Sequence, residues 1–147
     1  MKSIEAFDIT KTYNGRVVVD NLSFTVEQGE VFGLLGHNGA GKSTTIDCIL
    51  GLTKPDHGSA RILGQDAAKN RKTLFEHVGV QLQHEAYANN IRICEVCEET
   101  AALYHDPADY HALLKQFQLE AYVNQKVEQL SGGERQKLSV VVALIPK

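Results

Sequence analysis

Apolar and polar residues alternate along the first part of the chain. "SIEAFDIT" and "LSFTVEQG" carry apolar side chains at every second position, the pattern of strands with one covered face. "YNGR" lies between them with an Asn-Gly turn signal, and "VVVD" adds a further strand piece. "EVFGLLG" is continuously apolar, as a strand covered on both faces would be. "KSTTIDCILGL" is a helix candidate ended by Gly51, and "KPDHG" is a turn. "SARILG" reads as a short strand, "AAKNRKTLFEH" as a helix polar on one side, and "VGVQLQ" as a strand.

From about Asn90 to Lys126 the spacing turns helical, in "RICEVCEETAALY" and "PADYHALLKQFQL", with no strand between them. "LSGGERQKLSVVVALI" then opens with a helix-start signature. Strands alternating with helices predict an α/β fold with a parallel sheet, and the strand-rich start adds an antiparallel piece. The expected division is residues 1–89 as a β subdomain with a phosphate-loop core, 90–130 as a helical insertion, and 131–147 as the last helix.

Composition narrows the classes. The 147 residues suit one domain, with 43% hydrophobic and 22% charged residues, as in ordinary globular proteins. A net charge of -3 argues against a nucleic-acid binder held by phosphate contacts. The N-terminal "MKSIEAFDIT" has no apolar signal core, and no apolar run nears the ~20 residues of a membrane span, so a cytoplasmic location is expected. The three cysteines are Cys48, Cys94 and Cys97. The C-x-x-C of Cys94 and Cys97 admits zinc or redox chemistry, but no second pair exists, and on a helix the two simply share a face.

The strongest chemical signal is "GHNGAGKS", a full G-x-x-x-x-G-K-[ST] match between a strand candidate and a helix candidate. Gly36, Gly39 and Gly41 permit backbone conformations that turn several N–H groups inward, with His37, Asn38 and Ala40 completing the loop. The helix start near Lys42 adds a positive dipole end. Lys42 supplies a mobile charge for β- and γ-phosphates, Ser43 a hard oxygen for Mg²⁺, and Thr44 a hydroxyl near an α-phosphate. The loop therefore predicts a nucleoside triphosphate. A second glycine motif, "LSGGERQ", places Ser131 as a helix cap, with Glu134 three residues on to complete a capping box. Gly132 and Gly133 bare the backbone of the first turn, a second anion site.

Together, "GHNGAGKST" and "LSGGERQ" resemble the ATP-binding-cassette family over essentially the whole chain. The resemblance implies a P-loop NTPase (RecA-like) core with an antiparallel β subdomain and a helical insertion. It implies ATP and Mg²⁺ as ligands, and a head-to-tail dimer. In that dimer the signature residues Ser131, Gly132, Gly133 and Glu134 meet the γ-phosphate held by the other nucleotide-binding domain. Tyr13 falls where the family stacks an aromatic on adenine; a half-buried tyrosine at a strand end is the structural alternative. Gln83 matches the glutamine loop that touches Mg²⁺ and water and meets a membrane permease, with Gln81 as its rival. "GLLGHNGAGKSTT" and "GVQLQ" look most like ATPase subunits of drug or antibiotic exporters, peripheral at the inner face of the cell membrane.

The family's Asp-Glu strand, which supplies a Mg²⁺ ligand and a general base, is expected after the signature helix. The chain reads "VVVALIPK" there, and none of the six histidines follows the signature. The reading is thus of a domain truncated before that strand, whose parent hydrolyses ATP while the chain alone lacks the hydrolytic residues. Two alternatives stand beside it: a non-hydrolysing ATP-binding or interaction fragment, and a soluble family member in translation or DNA repair.

Overall fold

The computed structural model describes residues 1–81 and 86–147. They form two compact units, Met1–Leu74 and Phe75–Lys147.

The first unit is built on a long hairpin. β1 (Lys2–Tyr13) and β2 (Arg16–Glu27) pair antiparallel, with Ile4 opposite Val26 and Tyr13 opposite Arg16. "VVVD" and "LSFTVEQG" are thus one strand. Asn14 and Gly15 both take positive φ, 48° and 77°, the conformation a two-residue hairpin turn of the type I′ class requires. Strict alternation fails inside β1. The register shifts between Ala6 and Ile9, and both side chains are buried. Asp8 sits at the irregularity with φ 47°; the Ser23 hydroxyl accepts from its N–H at 2.8 Å and donates to its carboxylate at 2.8 Å.

β3 (His57–Ile62) pairs antiparallel with the other edge of β1, giving the order β2-β1-β3. α1 (Lys42–Ile49) packs against this sheet and buries Thr45, Cys48 and Ile49, while Ala6, Ile9, Val19, Val26 and Ile62 are buried on the strands. α2 (Arg71–Leu74) is one turn, much shorter than "AAKNRKTLFEH" predicts.

The expected strand "EVFGLLG" does not form. Val31 is 99% and Leu35 92% exposed, and among the described residues no strand pairs with this segment. A strand needs a neighbour for its N–H and C=O groups. Apolar content alone supplies none. Within the segment, Phe32 stacks on Phe24 of β2, ring centroids 4.7 Å apart and planes 6° from parallel. "VGVQLQ" differs likewise, since Val78–Gln81 are not in a strand; its remainder lies outside the described residues. The parallel pairing expected for the core is accordingly not present among the described residues, whose one sheet is antiparallel.

The second unit is helical, as its spacing predicts. α3 (Ile93–Ala101), α4 (Tyr110–Gln116) and α5 (Gly132–Ala143) are joined through two short 3₁₀ turns, Glu120–Tyr122 and Val127–Gln129. Ile93, Val96 and Cys97 of α3, Leu114 of α4, and Leu138 and Val141 of α5 meet in one apolar core with Leu119, Val127, Leu130 and Ile145. Each helix start is capped. The Asp109 carboxylate accepts from the N–H groups of His111 (2.9 Å) and Ala112 (3.4 Å), and the Arg92 N–H donates to Glu95 at 2.7 Å.

Candidate functional site: a phosphate loop and a glycine-rich helix start

The loop from Gly36 to Gly41 is positioned by its junction with α1. Gly41 caps the helix in the left-handed region, φ 87°. A Cβ there would lie 2.4 Å from the Val18 carbonyl oxygen and 3.2 Å from a Val19 methyl. Only glycine lets the loop pass this close under β2. The Gly41 carbonyl accepts from both the N–H (2.8 Å) and the hydroxyl (2.9 Å) of Thr45, which is buried. Thr45 and Val18 therefore hold the loop, a role that the sequence reading missed. The doubled Thr-Thr of the motif was a usable signal for the first; no signal marked the second.

The Lys42 ammonium folds back over the loop and donates to the carbonyls of Gly36 (2.7 Å) and His37 (2.8 Å). The Ala40 N–H donates to the His37 carbonyl at 3.1 Å, closing a turn, and Gly39 has φ 82°. A side chain at Gly36 would enter the concavity, its Cβ 3.0 Å from that of Ala40 and 3.9 Å from the Lys42 stem. Ser43 is exposed and Thr44 half-buried on the first turn, which carries no acidic residue. The positive end of the helix dipole and an ammonium thus meet beside glycine backbone with no carboxylate of that turn to oppose them, which suits an anion. A cleft of this unit, about 460 Å³, runs past Cys48, Pro55 and Ala67 and is not lined by Lys42. A phosphate cradle made of backbone needs no deep cavity.

Tyr13 closes β1 and is 45% exposed. The Lys11 ammonium lies 5.3 Å from the ring centroid and bonds Asp56 at 3.0 Å. That bond, with a second from the Thr12 N–H at 2.7 Å, holds the Asp56 carboxyl below the usual carboxylate range and raises Lys11 in turn. Gln83 lies outside the described residues. Its rival Gln81 is exposed.

In the second unit the Ser131–Glu134 capping box is complete. The Ser131 hydroxyl accepts from the Glu134 N–H (3.3 Å), and the Glu134 carboxylate accepts from the Ser131 N–H (2.8 Å) and hydroxyl (2.8 Å). These bonds hold Glu134 below its ordinary carboxylate range, the backbone contact contributing most. Gly132 and Gly133 are exposed, and a Cβ at either would meet no atom within 4 Å. Their backbone is open to a ligand. Cys97 is part of the helical core, and burial pushes its thiol up to about 12. No cluster of metal-ligating side chains occurs among the described residues, and none of their helices is long and apolar enough to cross a membrane.

The family model for the ABC transporter domain matches residues 19–147. The chain is 37% identical to the Nod factor export ATP-binding protein I of Rhizobium etli, over 99% of its own length and 48% of that protein's. It is 33% identical to the bacitracin transport ATP-binding protein of Bacillus licheniformis, over 97% of its length and 47% of that protein's. The chain spans about half the length of the curated relatives it matches. Among solved structures, the ATP-binding subunit of an ABC transporter superposes with a TM-score of 0.83 at 28% identity, covering 95% of this chain and 60% of that one. An ATP-binding cassette of an ABC transporter, at 22% identity and a TM-score of 0.84, shares the fold over 99% of this chain and 66% of its own. With the glycine loop built under β2 and the capped glycine pair opening α5, these matches place the chain in the ABC transporter family, as part of its ATPase domain.

Proposed function

We propose that this chain binds ATP with Mg²⁺ as part of a transport ATPase, and that the whole protein couples ATP binding and hydrolysis to export across a membrane. One observation carries the reading: the Lys42 ammonium sits over a concavity of glycine backbone at the start of α1, bonded to the loop carbonyls of Gly36 and His37, which a phosphate would replace. The names of the Nod factor and bacitracin relatives support export. In this reading Gly36 to Thr44 hold the triphosphate, and Tyr13 stacks on the adenine. Ser43 and Gln83 would hold Mg²⁺, which would supply positive charge against the triphosphate when bound. Ser131 to Glu134 meet the γ-phosphate held by a second nucleotide-binding domain, and Gln83 faces a permease subunit that keeps the protein at the inner face of the membrane. The division into residues 1–89, 90–130 and 131–147 belongs to the same proposal.

Calorimetric titration of Mg·ATP into wild type and Lys42→Ala tests it. The substitution removes charge-assisted bonds worth about 1.5–3 kcal/mol each, so affinity should fall at least tenfold. Equal affinities would mean that the loop is not the nucleotide site.

A further inference from the structure

The Tyr13 ring does not stand alone. Lys11 lies two residues earlier on β1, hence on the same side of the strand. Its ammonium is 5.3 Å from the ring centroid, inside the ~6 Å over which a cation is drawn to an aromatic face. It is also held there. Asp56 Oδ1 and the Lys54 carbonyl each accept from it at 3.0 Å, and the Lys11 side chain is only 15% exposed. The second Asp56 oxygen accepts from the Thr12 N–H at 2.7 Å, while the Asp56 N–H donates to the Thr10 carbonyl at 2.8 Å. One carboxylate thus ties both the cation and the strand end to the segment after α1.

The strand end that carries the ring pairs with the same part of β2 that the glycine loop passes under. Val18, whose carbonyl Gly41 passes under, lies two residues along β2 from Arg16, the partner of Tyr13, at a shift in the hairpin register. An anion on the loop and a planar group on the ring therefore flank one short stretch of β2.

We propose that Lys11, anchored by Asp56, is a positioning residue for nucleotide binding: it occupies one side of the Tyr13 ring, fixes its plane, and leaves the exposed side for the base. This rests on the reading that Tyr13 stacks on adenine. Lys11 touches no phosphate in this arrangement. It acts through the ring.

The test uses the whole 147-residue chain with two probes, Mg·ATP and inorganic tripolyphosphate, which lacks a base. Lys11→Met should weaken ATP binding about three- to tenfold, the range of an ordered cation–aromatic contact, and leave tripolyphosphate unchanged. Lys11→Arg, which keeps the cation and the bond to Asp56, should restore ATP binding. Carbon relaxation of the Tyr13 ring, read without nucleotide, should report a looser ring in Lys11→Met. An equal loss for both probes would make Lys11 merely structural and overturn the proposal. So would an unchanged ring, or unchanged ATP binding in Lys11→Met alongside a loss in Tyr13→Ala. Unchanged ATP binding in Tyr13→Ala itself would sink the stacking reading instead, and this inference with it.

Discussion

At the scale of single residues, Gly41 joins fold and site. Its left-handed backbone and the Val18 carbonyl 2.4 Å from any Cβ are two separate demands for glycine. Gly41→Ala should cost about 1–3 kcal/mol in backbone strain alone, and relief of the clash would move the loop. A urea melt should show the lower midpoint and a titration the weaker ATP binding; an unchanged midpoint would contradict the geometry. Cys97 offers a pH test. Its thiol is neutral in the fold up to about 12, against an ordinary value of 9.0, with burial the main cause and electrostatic repulsion from Cys94 and Glu98 adding to it. The unfolded chain ionises first, so it binds fewer protons than the fold between those values. The stabilisation is complete below about 9 and is lost as pH rises toward about 12. Melts at pH 8 and pH 10 should differ more for wild type than for Cys97→Val. Equal differences would mean that this thiol is accessible to hydroxide.

At the scale of elements, α5 tests whether the glycine motif is held by its cap or by its core. The cap satisfies the N–H of Glu134, and Leu138 and Val141 lie fully buried one to two turns on. Ser131→Ala should cost about 1 kcal/mol, and Leu138→Ala about 2–5 kcal/mol with the cavity it leaves. Urea melts of the two variants should therefore rank Leu138→Ala as clearly the less stable. The reverse order would mean that the first turn, not the core, anchors the helix. Within β1, the bulge at Asp8 brings Ile9 to the buried set with Ala6. Its Ser23 contacts link residues fifteen apart in sequence, so alternation could not reveal it.

At the scale of the whole molecule, Val31 and Leu35 are the anomaly. Two aliphatic side chains, 99% and 92% exposed, sit on backbone with no pairing strand among the described residues. Such a segment is a template for another chain. We expect the 147-residue chain to scatter light above its monomer mass at micromolar concentration. Val31→Lys combined with Leu35→Lys should return it toward the monomer. A wild-type monomer with a sharp, concentration-independent urea transition would show that the segment recruits no second copy.

Local signals in the sequence determined much of this protein. Asn14-Gly15 set the hairpin turn, Ser131 and Glu134 the start of α5, and the spacing of Gly36, Gly41 and Lys42 the glycine loop that Lys42 folds over. Each depends on neighbours a few residues away, through positive φ, capping or helix polarity, so the chain order carries it directly. Tertiary structure alone decided the rest. Gly41 is confined by Val18, Lys11 by Asp56, and Ile9 turns inward through a bulge pinned by Ser23. "EVFGLLG" shows the reason most directly. Its apolar run meets the local condition for a strand, but backbone pairing is a property of two segments, and only the folded chain determines whether the second is there.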